Sequence, residues 1–137
     1  MPPPKNDAGD YYLVGVNPPY EQIYSDSYLK IEGETFQMAG NTCSNGIVLN
    51  GNNSYVLINL EGKYSTLDFD IGHVDDSDMK MSTITFFIDG QEVQSIDVDP
   101  EALPQHVTLP LNNGYILKIQ ESCEWGPKIG LSEMVAK

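Results

Sequence analysis

Two short stretches of this 137-residue chain hold side chains whose types and spacing could do chemistry. The first is Gly72-His73-Val74-Asp75-Asp76-Ser77-Asp78, which packs three carboxylates and an imidazole between two strand-like runs. Carboxylate oxygens are hard ligands, so Asp75, Asp76 and Asp78 form a candidate set for calcium. The segment departs from an EF-hand loop, which needs a Gly and a distal Glu at fixed offsets. The same acids equally suit a solvated turn in which they cap backbone N–H groups. The second stretch is Cys123-Glu124-Trp125-Gly126-Pro127-Lys128, which holds the one Trp of the sequence. A Trp in a Gly/Pro loop either stacks on the apolar face of a sugar or folds inward as a plug between sheets. The two cysteines, Cys43 and Cys123, are either buried thiols or one disulfide joining an early segment to the last third of the fold.

Catalytic signatures are missing. No Gly-x-Ser-x-Gly elbow occurs, and neither His73 nor His106 lies near a nucleophile pattern. There is no Walker loop, dinucleotide fingerprint or His-Glu-x-x-His helix. Paired carboxylates are unavoidable among twenty acidic residues, and a chain this short seldom builds the extended cleft of a glycosidase. A binding role is expected rather than an enzymatic one.

The charge balance narrows the partners. Twenty acids face seven bases, all Lys, for a formal charge of -13. Such a surface repels phosphate backbones and anionic membranes, so nucleic acid is not an expected partner. A neutral ligand, a cation or a basic protein surface remains compatible. No apolar run is long enough to span a bilayer, so membrane insertion of this domain is not expected. Residues 1–10 are polar and Pro-rich, and read as a linker from a longer chain. Residues 11–137 read as one module.

The elements that must hold these stretches are strands. Leu67, Phe69 and Ile71 alternate with Thr66, Asp68 and Asp70, the period of a strand with one wet face. Ser82-Thr83-Ile84-Thr85-Phe86-Phe87-Ile88 meets Glu92-Val93-Gln94-Ser95-Ile96-Asp97-Val98 across Asp89-Gly90, a strong hairpin signal. Further strands are expected over residues 54–60, 106–111, 115–121 and 128–135, with weaker ones at 11–16, 30–38 and 46–50. Helical turns are expected only at 18–23 and 100–103. About eight strands with no crossover helix predict an all-β, antiparallel β-sandwich of jelly-roll type.

From Cys43 onward the chain resembles the NPCBM family, carbohydrate-binding-module domains found beside bacterial glycoside hydrolases and on surface proteins. That family is related to carbohydrate-binding module family 51. The resemblance runs through Ser44-Asn45-Gly46-Ile47, Leu60-Glu61-Gly62-Lys63-Tyr64-Ser65-Thr66-Leu67-Asp68-Phe69, Ile71-Gly72-His73-Val74-Asp75-Asp76, Phe86-Phe87-Ile88-Asp89-Gly90-Gln91 and Trp125. It covers about two-thirds of the chain. Where the family carries an Asp-His-Ala-Asp-Trp-Ala-Asp type of segment, this chain reads Ser122-Cys123-Glu124-Trp125-Gly126-Pro127-Lys128, keeping one acid and the Trp. The resemblance implies a non-catalytic module of an extracellular or cell-surface bacterial protein. It implies glycan or polysaccharide binding through the loops carrying Asn45, His73, Asp75, Asp76, Glu124 and Trp125. A structural or protein-interaction module with the same fold is the alternative. Trp125 and the loop 72–78 are expected at the same end of the sandwich.

Overall fold

The computed structural model describes residues 3–30, 33–124 and 126–137. The chain opens with one helical turn, α1 (Leu13–Val16), followed by β1 (Glu21–Ile23), β2 (Ser25–Tyr28), β3 (Phe36–Met38), β4 (Asn41–Cys43), β5 (Gly46–Asn50) and β6 (Tyr55–Asn59). The longer strands then follow as β7 (Thr66–His73), β8 (Ser82–Ile88), β9 (Gln91–Val98), β10 (Gln105–Pro110), β11 (Ile116–Cys123) and β12 (Lys128–Ala136). One five-stranded sheet has the order β1-β6-β11-β8-β9, and the other β10-β7-β12-β5-β2. All pairings are antiparallel. From β5 to β12 the chain passes repeatedly from one sheet to the other, the winding of a jelly roll.

Alternation explains the core. Leu67, Phe69 and Ile71 of β7 are buried while Thr66, Asp68 and Asp70 stay half-buried on the opposite face. Phe69 meets Phe86 of the facing sheet at a ring-centroid distance of 5.4 Å. Around them lie Ile58, Ile84, Leu117, Ile119 and Leu131, each fully buried. The hairpin β3–β4 covers the other face of the second sheet with Phe36 and Met38, which pack with Val48 and Val74. Gly130 allows this approach, because a Cβ there would overlap the Phe36 ring.

The Asp89-Gly90 hairpin forms as expected. Ile88 pairs with Gln91, and both turn residues have positive φ, 51° and 85°. A register shift between Phe86 and Phe87 then offsets the rest of the ladder. The front of the chain departs from expectation. Residues 11–16 form the turn of α1, where Leu13 and Val14 bury themselves under β5 and β12 rather than extending as a strand. The segment expected as a helical turn at 18–23 contributes instead β1, which pairs with β6 from Glu21↔Leu57 to Ile23↔Tyr55. Among the described residues of 30–38, Phe36–Met38 is extended as a strand, and residues 31 and 32 lie outside them.

No disulfide joins Cys43 to Cys123. Cys43 ends β4 in the small hairpin, where burial pushes its thiol pKa up, whereas Cys123 ends β11 in the first sheet. The two belong to separate layers. No helix among the described residues is long and apolar enough to cross a membrane.

Candidate functional site

At one end of the sandwich β7 stops at His73 and the chain enters the loop before β8. The turn between β11 and β12, residues 124–127, lies against it. Val74 N–H donates to the Lys128 carbonyl at 2.8 Å, and Lys128 N–H donates to Ser77 Oγ at 3.1 Å. Gly126 N–H donates to Asp78 Oδ2 at 3.2 Å. The two stretches singled out in the sequence are therefore laced together. Trp125 itself lies outside the described residues.

His73 is buried, at 6% exposure, and its Nε2 lies 2.8 Å from the Asp78 carbonyl and 3.0 Å from Ser77 Oγ. Ser77 gives its own proton to the Val74 carbonyl at 2.7 Å. A hydrogen on Nε2, shared between the Asp78 carbonyl and Ser77 Oγ, fits this arrangement, so the imidazole fastens the loop. Asp75 is likewise committed. Its two carboxylate oxygens accept from Ala39 N–H at 2.9 Å and Gly40 N–H at 2.8 Å. Those residues form the β3–β4 turn, where Ala39 has φ 50°, a conformation that a non-Gly residue holds only when well anchored.

These commitments lend no support to the calcium expectation. Asp75 faces the hairpin, Asp78 accepts from Gly126, and Asp76 projects outward from a residue with φ 65°. Among the described residues no three His, Cys, Asp or Glu side chains converge as a metal set. Asn45 stands apart too. It lies in the β4–β5 turn, at the far end of β5 from Asn50, the partner of Lys128. It is buried with φ 59°, and its Oδ1 accepts from Lys30 N–H at 3.1 Å. The following Gly46 has no room for a side chain, since a Cβ would overlap the Leu131 carbonyl.

What remains open at this end is a groove of about 550 Å³ lined by Lys80, Met81, Ser122, Cys123 and Glu124. Glu124 and Lys80 are exposed, and Met79 and Met81 are more than half exposed. Asn52 and Asn53, on the turn between β5 and β6, flank the same end. Asn52 Oδ1 accepts from Cys123 N–H at 3.1 Å.

Beneath the groove sits Glu121, fully buried. Its Oε1 accepts from Gly51 N–H at 2.9 Å and from Ser54 Oγ at 3.3 Å, and its Oε2 accepts from Ser82 Oγ at 2.7 Å. Burial pushes its carboxyl pKa up to about 7, and the hydrogen bonds from Ser82, Gly51 and Ser54 oppose that rise only partly. One carboxyl thus ties the β5–β6 turn, the start of β8 and the end of β11. Glu121 and Asn52 were not among the expected site residues, although a signal for Glu121 was present. It continues the inward phase of Leu117 and Ile119 on β11, placing an acid where an apolar residue is due.

No protein-family model matches the sequence, and no curated protein matches it. Solved structures do match in fold. The second CBM51 module of Clostridium perfringens ZmpB, solved with its INT domains and GlcNAc, superposes with a TM-score of 0.68 at 12% identity. That match covers 86% of this chain and 29% of the ZmpB chain, so the present chain spans less than a third of it. The CBM51 of C. perfringens GH95, in complex with methyl-galactose, gives a TM-score of 0.65 at 15% identity, covering 93% of this chain and 99% of that one. The tandem CBM51 modules of the family 98 glycoside hydrolase Sp3GH98 from Streptococcus pneumoniae give 0.63 at 9% identity, covering 98% and 42%. Over nearly its whole length, the chain has the fold of a CBM51 module.

Proposed function

We propose that the chain is a non-catalytic glycan-binding module of a longer extracellular bacterial protein, engaging a sugar at the end built by the 74–81 and 124–127 loops. The observation that carries this reading is the open groove beside the Trp-bearing loop, lined by an acid, a cation, a hydroxyl and an exposed thioether. Pyranose rings present an apolar face and a polar edge, and such a mixed lining complements both. The shared fold supports the class of ligand, since two of the CBM51 structures hold GlcNAc and methyl-galactose.

In this reading Trp125 supplies the stacking surface, while Glu124, Asp76 and Lys80 reach the hydroxyls. His73 and Asp75 shape the loops rather than touch the sugar, because His73 is buried with its Nε2 bonded inside the loop and both Asp75 oxygens accept from the β3–β4 turn. Asn45 is too far along β5 to take part. The formal charge of -13 favours neutral over acidic glycans.

The test is a screen of galactose- and N-acetylglucosamine-terminated glycans, followed by titration of the single Trp fluorescence. Trp125→Ala is expected to weaken binding about tenfold, equivalent to ~1.4 kcal/mol, at unchanged Tm. Absence of any bound glycan would favour a protein-interaction module of the same fold. A collapsed Tm in Trp125→Ala would instead make the Trp a core plug.

A further inference from the structure

β12 runs from Lys128, beside the groove, to Ala136, roughly 25 Å away at the strand's rise per residue. At this far end, segments distant in sequence line a half-open cavity of about 390 Å³. Leu13 and Val16 of α1 and Ala136 of β12 give it an apolar floor, and Tyr11 and Tyr64 wall it. The volume falls within the ~300–1,000 Å³ typical of small-molecule sites.

One wall is fixed in place. Tyr64 donates its hydroxyl to Asn17 Oδ1 at 2.7 Å. The buried Asn17 amide in turn donates to the Asn59 carbonyl at 2.9 Å and to Glu61 Oε1 at 2.7 Å. A ring locked by neighbours that are themselves bonded is a preorganised contact surface. The other wall is Tyr11, and a lysine ammonium lies by each ring, with Lys63 Nζ 5.4 Å from the Tyr64 centroid. Tyr11 is 41% exposed, with Lys5 Nζ 4.6 Å from its ring centroid. Among the described residues, no ring contact joins Tyr11 to Tyr64, so the space between them is not taken by stacking.

The rim is polar and balanced. Lys63 Nζ lies 3.4 Å from Glu61, and Lys137 Nζ lies 3.5 Å from Asp10. Paired in this way, the charges favour neither an anion nor a cation but leave acceptors and donors at the edge. A rigid aromatic face, an apolar floor and a charge-neutral polar rim together fit a ring with one apolar face and hydroxyls around it.

We propose that this cavity is a second site for a neutral monosaccharide unit, so that one module grips sugar at both ends of the sandwich. The choice of ligand class rests on the glycan-binding reading above; the cavity does not.

Amide spectra (¹H–¹⁵N) titrated separately with methyl-galactose and with N-acetylglucosamine test it. The expected result is two groups of shifting resonances, one at residues 9–16, 63–64 and 136, the other at 122–128. Tyr11→Ala should weaken the first group's binding at least fivefold and leave the second unchanged, with Trp125→Ala doing the reverse. Val16→Phe, which fills the cavity from its floor, should act as Tyr11→Ala does. Shifts confined to 122–128 would overturn the second site and leave the proposed function standing. Shifts confined to the far cavity would support the second site and remove the groove. No shifts with either sugar would overturn both.

Discussion

Glu121 is the residue whose chemistry should be visible in solution. Its carboxyl is raised to about 7 in the folded protein and returns to the ordinary range near 4.3 on unfolding. The unfolded state therefore binds fewer protons between these values, so this group's contribution to stability is fully present below about pH 4 and falls as pH rises through 7. The loss is on the order of 3 kcal/mol. Glu121→Gln removes the titration, so urea unfolding at pH 5 and pH 8 should show a smaller decline for the variant. Parallel profiles for the two proteins would refute the assignment. Asp75 offers a second check. Its two backbone donors lose their acceptor in Asp75→Ala, which should lower stability by about 1–3 kcal/mol by the same unfolding measurement. At this scale the sequence was half legible. The clusters at 72–78 and 123–128 do meet, as their types suggested. Whether an acid is spent on the protein or left for a ligand depends on partners remote in sequence, such as Asp75 with Ala39. The Cys43–Cys123 pairing was illegible for the same reason, since a spacing of eighty residues carries no distance.

At the scale of elements, the strands with strict alternation or a turn dipeptide were legible, because one buried face imposes a period of two whatever the neighbours do. The ends of β7, β8 and β9 fall within a residue or two of expectation. Ahead of β5, which fills the expected 46–50, the front segments were not legible. β1 is exposed along its whole length and exists because β6 offers it an edge, so nothing in its own pattern announces it. Leu13-Val14-Gly15-Val16 has strand-like composition, yet docking against β5 and β12 bends it into a helical turn. Turn chemistry separates two glycines. Gly46→Ala would drive a Cβ into the Leu131 carbonyl, a backbone atom that cannot step aside, and should cost about 3 kcal/mol or more. Gly90→Ala meets nothing within 4 Å and pays only for its φ of 85°, about 1–2 kcal/mol. Denaturant midpoints of the two variants should rank in that order; equal midpoints would contradict the packing at Gly46.

For the whole molecule the dominant number is the charge of -13. Self-repulsion of that size opposes the compact state, and salt relieves it. Raising ionic strength from about 0.01 M to about 1 M shortens the screening length from ~30 Å to ~3 Å, so Tm should rise by several degrees. A flat or falling Tm would mean that local ion pairs such as Lys63–Glu61 outweigh the general repulsion. Overall sign and sandwich architecture were both legible in the sequence, because each is a sum over many residues and tolerates local error. The register shift between Phe86 and Phe87 acts at this scale as well. It twists β9, the outermost strand of its sheet, away from a flat ladder, and that strand carries Glu92 and Asp97 on its exposed positions. A second molecule approaching that border would have to match a kinked row of hydrogen-bonding groups while bringing like charges together. That edge is thus guarded against strand addition by its shape as well as its charge, and the shape does not depend on ionised carboxylates.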